Sequence, residues 1–531
     1  MQTARRSFIS GFRTTALWTL ASRVLGMVRD VATAALLGMS AGGVMDAFVI
    51  AFRVPNLFRR LFGEGAVAAS YLPVLTEQLE SDRRRAWQLV SVGLTWLAVS
   101  LTVFVLIGEA ICWGAGQFSA DPHVDLLLGL TAVMIPYLLL ICLAAQVAAT
   151  LHALGQFGLP AFVPVLLNVS WIIGAWIVAP QWSDDKATQA YILACCILFG
   201  GGLQLGVQVP ALYRHGFRYD YDLAGSRDAL RRIIAAILPM MAGLAVTQIN
   251  TLADSVIAWG FSAPPEEFGY PLQRGAVAAI YYGERLFQFP LGVVGIALAT
   301  VIYPLLSRHA AGNRTEQLGN DLTIGLRLVL FLAVPASAGL ILLAEPLARL
   351  LFERGEFTAV DTSRTARMIV CYGLGAWASC SLPVLVRGFY ALGDLSTPIK
   401  TGAAIVGLNL ALNLILIWPL AEAGLAVATS ISAAAQAVIL TVLFSRNHSR
   451  IAWSQLCGTL ARSLIATGVM WTSGFGLMKL LPDGKSFHSQ LIHTAIPVVV
   501  CVAVYFAVFL AIRGREPWML LGRAANGKSD A

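Results

Sequence analysis

Residues 46–75 constrain this chain more tightly than any other stretch. They read Asp-Ala-Phe-Val-Ile-Ala-Phe-Arg-Val-Pro-Asn-Leu-Phe-Arg-Arg-Leu-Phe-Gly-Glu-Gly and then an apolar run. The stretch is greasy enough for a bilayer, yet it carries Asp46, Arg53, Arg59, Arg60 and Glu64. Three arginines facing lipid would cost roughly 8–10 kcal/mol on insertion scales. A helix whose charged side faces a water-filled cavity inside a helical bundle avoids that cost. Such a cavity suits a large anionic substrate.

The rest of the chain agrees with a membrane setting. It is 57% hydrophobic and 12% charged, with a mean hydropathy of +0.73. Soluble domains carry about 25% charged residues. At about 20 residues per spanning helix, fourteen apolar segments are expected near 15–37, 45–75, 87–112, 125–151, 158–180, 188–213, 230–260, 275–306, 322–345, 364–392, 398–419, 422–445, 457–481 and 490–512. The expected fold is an all-α polytopic membrane protein. Arg23 and Arg29 interrupt the first segment, which argues against a cleaved signal peptide.

The net charge of +8 is topological. With the N-terminus in the cytoplasm, the basic residues Arg83, Arg84, Arg85, Arg218, Arg231, Arg232, Arg308 and Arg446 fall on one side. The opposite loops hold mostly acids, among them Asp121, Asp184, Asp185, Glu266, Glu267, Glu353 and Glu356. This positive-inside asymmetry places both termini in the cytoplasm and removes the reason to invoke a nucleic-acid partner. Eight cysteines without metal-ligand spacing read as small core residues.

Helix one places Arg23, Arg29 and Asp30 inside a spanning segment. A spacing of six turns the two arginines about 120° apart, so both can border one wide cavity. In helix two, Arg60 and Glu64 stand at i,i+4 and are expected to neutralise each other. Arg59 has no acid at that spacing, and Pro55 is expected to interrupt the helix. Gln204 and Gln208 in helix six are expected to bond between helices. His152 reads as a headgroup-level or packing histidine.

Two sequence echoes point to duplication. Ala-Leu-Gly-Gln-Phe-Gly-Leu-Pro at 153–160 returns as Ala-Leu-Gly-Asp-Leu-Ser-Thr-Pro at 391–398, and the end of helix two at 65–73 has a counterpart at 295–304. Both pair helix n with helix n+6, an even shift that keeps orientation. The expected organisation is an N-terminal lobe over 1–213 (helices one to six), a cytoplasmic link over 214–229 and a C-terminal lobe over 230–446 (helices seven to twelve). Residues 447–531 then carry helices thirteen and fourteen and a cytoplasmic tail. These last two helices read either as a lipid-facing addition or as a groove for an acyl or prenyl tail. Binding sites in repeat-built transporters lie at the repeat interface.

In the second lobe, Tyr-Tyr-Gly-Glu-Arg-Leu-Phe-Gln-Phe-Pro at 281–290 sets Glu284 and Arg285 where helix two carries Arg53. Asp254, Asn409, Asn413 and Thr429 offer a carboxylate, two amides and a hydroxyl. That set suits a hard monovalent cation, a protonatable group or a network joining helices, and the three readings stay open.

The set Ser-Arg-Val-Leu-Gly…Arg-Asp (22–30), Asp-Ala-Phe (46–48), Pro-Asn-Leu-Phe-Arg-Arg-Leu-Phe-Gly-Glu-Gly-Ala (55–66) and Tyr-Tyr-Gly-Glu-Arg-Leu…Phe-Pro (281–290) resembles the MurJ (MviN) family, lipid II flippases of the MOP superfamily. The resemblance covers essentially the whole chain. It implies a bacterial inner-membrane flippase that moves lipid-linked peptidoglycan precursor outward by alternating access, with no catalytic residues. It implies that Arg23, Arg29, Arg59 and Arg285 hold the substrate's pyrophosphate and sugar-peptide head, with Arg53, Asp46, Asn56, Glu64 and Glu284 around them. Helices thirteen and fourteen would take the undecaprenyl tail. The implied partners are lipid II, membrane lipids and the cell-wall synthesis machinery. Asp254, Asn409, Asn413 and Thr429 match the place where some members bind Na⁺, with Asn413 standing where those have a second carboxylate. The competing expectations are another MOP-type transporter, such as a polysaccharide-lipid flippase or a MATE-like exporter, and a non-transporting lipid II-binding scaffold.

Overall fold

In hydrocarbon each peptide group must find its partner within the protein, and a helix satisfies nearly all of them within one segment. The computed structural model, which describes residues 2–40, 42–61, 67–222, 227–263, 269–481, 484 and 486–520, is accordingly helical almost throughout. In order come α1 (Gln2–Leu37), α2 (Val44–Phe58), α3 (Val67–Ser81), α4 (Arg83–Phe118), α5 (Pro122–Ala153), α6 (Gly158–Ile173), α7 (Ala179–Trp182), α8 (Lys186–Arg214) and α9 (Arg227–Gly260). They are followed by α10 (Ala276–Pro290), α11 (Ala297–Ala311), α12 (Thr315–Leu342), α13 (Ala344–Phe352), α14 (Ala359–Ala391), α15 (Ser396–Leu420), α16 (Glu422–Asn447), α17 (Trp453–Leu480), α18 (Phe487–Ala511) and α19 (Glu516–Leu520). A two-residue parallel pair, Ser262–Ala263 with Leu272–Gln273, is a small departure from the all-α expectation.

Each of the fourteen expected segments has a helical counterpart. Among the described residues, ten helices are long and apolar enough to cross a membrane. The second expected segment is divided between α2 and α3. Pro55 does not interrupt α2, contrary to expectation. The helix runs through it to Phe58 and then widens into a π-helical turn at 59–61. Capping follows sequence signals: Asp82 accepts from the Arg84 and Arg85 N–H groups, Asp121 from His123, and Asp185 from Thr188.

By packing, the chain divides into two units, Met1–Val256 with Arg354–Thr358, and Ile257–Glu353 with Ala359–Ala531. In the first, α5 packs against α2, α4 and α8, and α6 packs against α1 and α8. Tyr71, Leu89, Leu151 and Leu212 belong to one buried cluster there. In the second, α14 packs against α10, α12 and α16, and α17 packs against α12 and α18. Leu322, Val384, Phe389 and Phe444 form part of its core. Phe331, Met470, Cys501 and Tyr505 belong to another cluster, which seats α17 and α18.

The echoes in the sequence have local structural counterparts. Both α2 and α10 start after a glycine in the left-handed region, Gly43 at φ 75° and Gly275 at φ 93°. Both lead into a π-helical stretch, at 59–61 and at Leu291–Ile296. The turns at 153–160 and 391–398 each pivot on a glycine, Gly155 and Gly393, with φ 76° in both. The hydrogen bonds match as well: Gln156 N–H reaches Leu151 O, and Asp394 N–H reaches Phe389 O.

The cysteines depart in part from the core reading. Cys142, Cys371, Cys380 and Cys501 are buried, but Cys195 and Cys457 are exposed. Gln204 Nε2 donates across to Val163 O on α6 as expected, whereas Gln208 donates to Gln204 O within its own helix.

Candidate functional site

The first cluster forms where α1, α6 and α2 meet. Arg29 is nearly buried and donates from Nε and Nη2 to Asp30 Oδ1, the latter at 2.8 Å. Its Nη1 donates to Asn168 Oδ1 at 3.3 Å, and its guanidinium lies 4.5 Å from the centroid of Trp171. Asn168 in turn donates to Ser22 O, which ties α6 back to α1 about two turns before Arg29. Trp171 is fixed by a bond from Nε1 to Thr33 Oγ1 and by edge contacts with Phe48 and Phe52. A planar guanidinium held on a ring face, with its edges bonded, has a set direction. Arg23, on the same helix, is exposed.

Helix α2 holds the second set. Asp46 is fully buried in its first turn, where the helix N-terminus favours a carboxylate. Arg53 donates from Nη1 to Thr251 O on α9. Arg59 donates from Nε to Asn56 Oδ1 at 3.0 Å. Arg60 Nη1 reaches Gln248 Oε1 on α9 at 3.4 Å. Glu64, its expected partner, lies outside the described residues, as do Glu266 and Glu267. Arg59 and Arg29 both act electrostatically on Tyr137 of α5, whose ring also packs on Phe52. The first unit therefore brings two of the four predicted arginines into one neighbourhood.

In the second unit, α10 carries Glu284 and Arg285. Arg285 donates to Tyr281 Oη at 2.9 Å and to Gln288 Oε1 at 3.3 Å, and its guanidinium lies 4.5 Å from the Tyr281 centroid. Gln288 Nε2 donates on to Glu284 Oε1 at 2.9 Å. The polar face is thus a chain of four residues, Tyr281, Arg285, Gln288 and Glu284. Gly283 lets α10 lie close on α14, because a methyl group there would stand 2.5 Å from Met368 Cβ.

The four candidate cation ligands are all on helices. Asp254 lies on α9 in the first unit and is buried. Asn409 and Asn413 are buried one turn apart on α15, and Asn413 Nδ2 donates to Asn409 Oδ1 at 3.0 Å. Thr429 on α16 donates to Leu425 O of its own helix. Each of the four side chains carries an oxygen, the ligand type that a hard monovalent cation takes. Among the described residues there is no group of three or more His, Cys, Asp or Glu side chains able to hold a metal ion.

Two features escaped sequence reasoning. Asn168 and Trp171 orient Arg29, yet a lone amide and a tryptophan in an apolar run carry no distinctive signal. The other is Arg327 on α12, inside an expected spanning segment. It donates to Glu516 Oε1 from Nη2 at 2.8 Å and from Nε at 3.2 Å, and to Thr459 and Gln455 of α17. Glu516 is fully buried. An arginine within a greasy helix was the available sign. Its partner, 189 residues away, could not be read from the sequence.

Arg29 and Arg59 in the first unit, and Arg285 in the second, are groups of the kind that hold an anion by charge-assisted hydrogen bonds. The family model described as "Lipid II flippase MurJ" matches residues 33–505. A "probable lipid II flippase MurJ" from Vibrio cholerae serotype O1 is 36% identical over 444 residues, which is 81% of this chain and 81% of that protein. The solved structure of a lipid II flippase MurJ in an inward closed conformation is similar with a TM-score of 0.75 at 23% identity, covering 94% of this chain and 99% of that one. An inward-facing multidrug resistance MATE family transporter of the MOP superfamily gives a TM-score of 0.63 at 12% identity, over 82% of this chain and 95% of that one.

Proposed function

The chain belongs to the lipid II flippase MurJ family, and from that premise we propose that it moves lipid II from the cytoplasmic to the outer leaflet of the bacterial inner membrane. The observation that carries the reading is the set of oriented guanidinium groups on α1, α2 and α10. Arg59 donates to Asn56 Oδ1, and Arg285 donates to Tyr281 Oη and Gln288 Oε1, bonds that aim each guanidinium. A diphosphate linked to an acidic peptide needs several such partners, and a planar guanidinium binds phosphate through two parallel bonds.

In this reading the chain crosses the membrane fourteen times with both termini in the cytoplasm. Its two six-helix lobes, 1–213 and 230–446, expose the arginines to each side in turn. Asp46, Glu64 and Glu284 temper the site's charge so that binding stays reversible, and Arg53 and Asn56 complete the set around the substrate's head. The lobe-external helices α17 and α18 take the lipid tail. Exposed Leu464, Ile465 and Val469 on α17 and Leu491, Ile492 and Ile496 on α18 give them apolar outer faces. The chain is a transporter and performs no bond chemistry. Asp254, Asn409, Asn413 and Thr429 would hold Na⁺, which supplies a coupling charge when bound. The inside-negative potential, worth about 2.3 kcal/mol per charge per 100 mV, favours outward movement of an anion without it.

The test is made in cells depleted of their own flippase and supplied with this chain. An external enzyme that cleaves lipid II is added, and the cleaved fraction is measured. Restored cleavage supports export. No restoration, with the protein present in the membrane, transfers the reading to another MOP substrate or to a scaffold.

A further inference from the structure

Away from the arginines above, the chain leaving α8 folds back onto the first turns of α4. Arg83, Arg84, Trp87, Arg218, Tyr219 and Tyr221 line a cleft of about 450 Å³ there, together with Asp220. The cleft is built from fixed parts. Arg83 Nη2 donates to His215 O at 2.9 Å, and Asp220 N–H donates to Ser91 Oγ at 3.0 Å. The Tyr219 hydroxyl is bonded to Thr95 Oγ1. Trp87 meets the edge of Phe217 at 5.6 Å and lies under the Arg83 guanidinium at 5.7 Å. Segment 215–222 is therefore a docked strap.

Its charge is unbalanced. Three guanidinium groups face one carboxylate, Asp220, whose Oδ2 lies 3.7 Å from Arg84 Nε. The Asp222 N–H holds the Asp220 carboxyl below its ordinary range, so it stays ionised and the cleft keeps a surplus of two positive charges. Tyr221 is 87% exposed and packs edge-on against Tyr219 at 5.0 Å. Beyond these turns α4 becomes an apolar spanning helix, exposing Trp96, Val99 and Val103. Arginines above an aromatic girdle above an apolar helix is the layering that a lipid headgroup meets.

We infer that this cleft is a second phosphate site, which holds the phosphodiester headgroup of an anionic membrane lipid at the cytoplasmic surface. It rests on the cytoplasmic placement of the start of α4 proposed above. The test does not use transport, so the two can fail separately. Full-length protein, purified in detergent, is titrated with phosphatidylglycerol or phosphatidylcholine, and bound lipid is counted by intact-complex mass spectrometry. Wild type is compared with the double variant Arg84→Gln/Arg218→Gln and with Arg84→Lys/Arg218→Lys.

Losing two surface charges weakens the tightest phosphatidylglycerol site roughly 20-fold. The lysine pair keeps most of the affinity, and phosphatidylcholine binding stays the same. Tyr221→Ala, which removes none of the hydrogen bonds above, weakens phosphatidylglycerol alone. Equal phosphatidylglycerol retention by wild type and the glutamine pair overturns the inference. Displacement of the lipid by equimolar glycerophosphoglycerol or inorganic phosphate overturns the lipid assignment in favour of a free anion. Capture of a poly-glutamate peptide in preference to lipid overturns it in favour of a protein partner.

Discussion

Arg29 shows what a charge needs in order to serve inside an apolar bundle. Its Nε and Nη2 edge is taken by Asp30, its Nη1 by Asn168, and one face by the Trp171 ring. Asp30 lowers the cost of burying the guanidinium, while Asn168 and Trp171 fix its direction. Asn168→Ala removes one bond to Arg29 and the bond to Ser22, each worth about 1 kcal/mol. Export is expected to slow about fivefold at unchanged protein level, measured as the initial rate of lipid II appearance outside. An unchanged rate would show that Arg29 needs no orientation from α6. The arginine was legible because an unexplained charge in a greasy helix demands a cavity or a partner. The amide that orients it was not, since one asparagine in an apolar run serves equally well as a helix-to-helix bond.

Among the elements, α19 had the least warrant in the sequence. Five residues after α18, Glu516 returns into the protein and meets Arg327 of α12 and Thr459 of α17. Removing one partner of a buried ion pair costs about 3–5 kcal/mol, because the other charge is left uncompensated. Glu516→Ala should therefore lower Tm in detergent markedly, while Arg327→Met/Glu516→Leu should recover most of the loss. The Asp394 carboxylate, in the turn before α15, makes a milder and pH-dependent contribution. Burial pushes the Asp394 carboxyl up, but bonds from the Thr397 N–H and hydroxyl, His448 and Ser396 outweigh it and hold the pKa at about 2, against 3.8. A depressed carboxylate stabilises the fold above its unfolded pKa and loses that contribution as pH falls from about 4 to about 2. Asp394→Ala should cost about 1 kcal/mol near neutrality, and the gap in Tm from wild type should close over that acid range. The turn holding Asp394 was legible because 153–160 and 391–398 share Ala-Leu-Gly and a final Pro. The two glycines adopt the same φ of 76° because that turn needs a left-handed residue.

For the whole molecule, the sequence was most informative where physics leaves few choices. Apolar length marked where the helices lie. Partnerships across long separations, such as Arg327 with Glu516 or Arg53 with the Thr251 carbonyl, needed the fold. The proposed function makes the chain an anion carrier, so collapsing the inside-negative potential with an ionophore should slow export several-fold without removing the protein from the membrane. The most direct measurement reconstitutes the chain in vesicles with fluorescent lipid II and follows the label that becomes reachable by a membrane-impermeant quencher. Wild type, Arg59→Ala and Arg285→Ala are compared, with circular dichroism to show that each variant is folded. Each arginine supplies charge-assisted bonds of about 1.5–3 kcal/mol, so the account predicts rates reduced by about tenfold to a hundredfold in folded variants. Wild-type rates in both variants would contradict it.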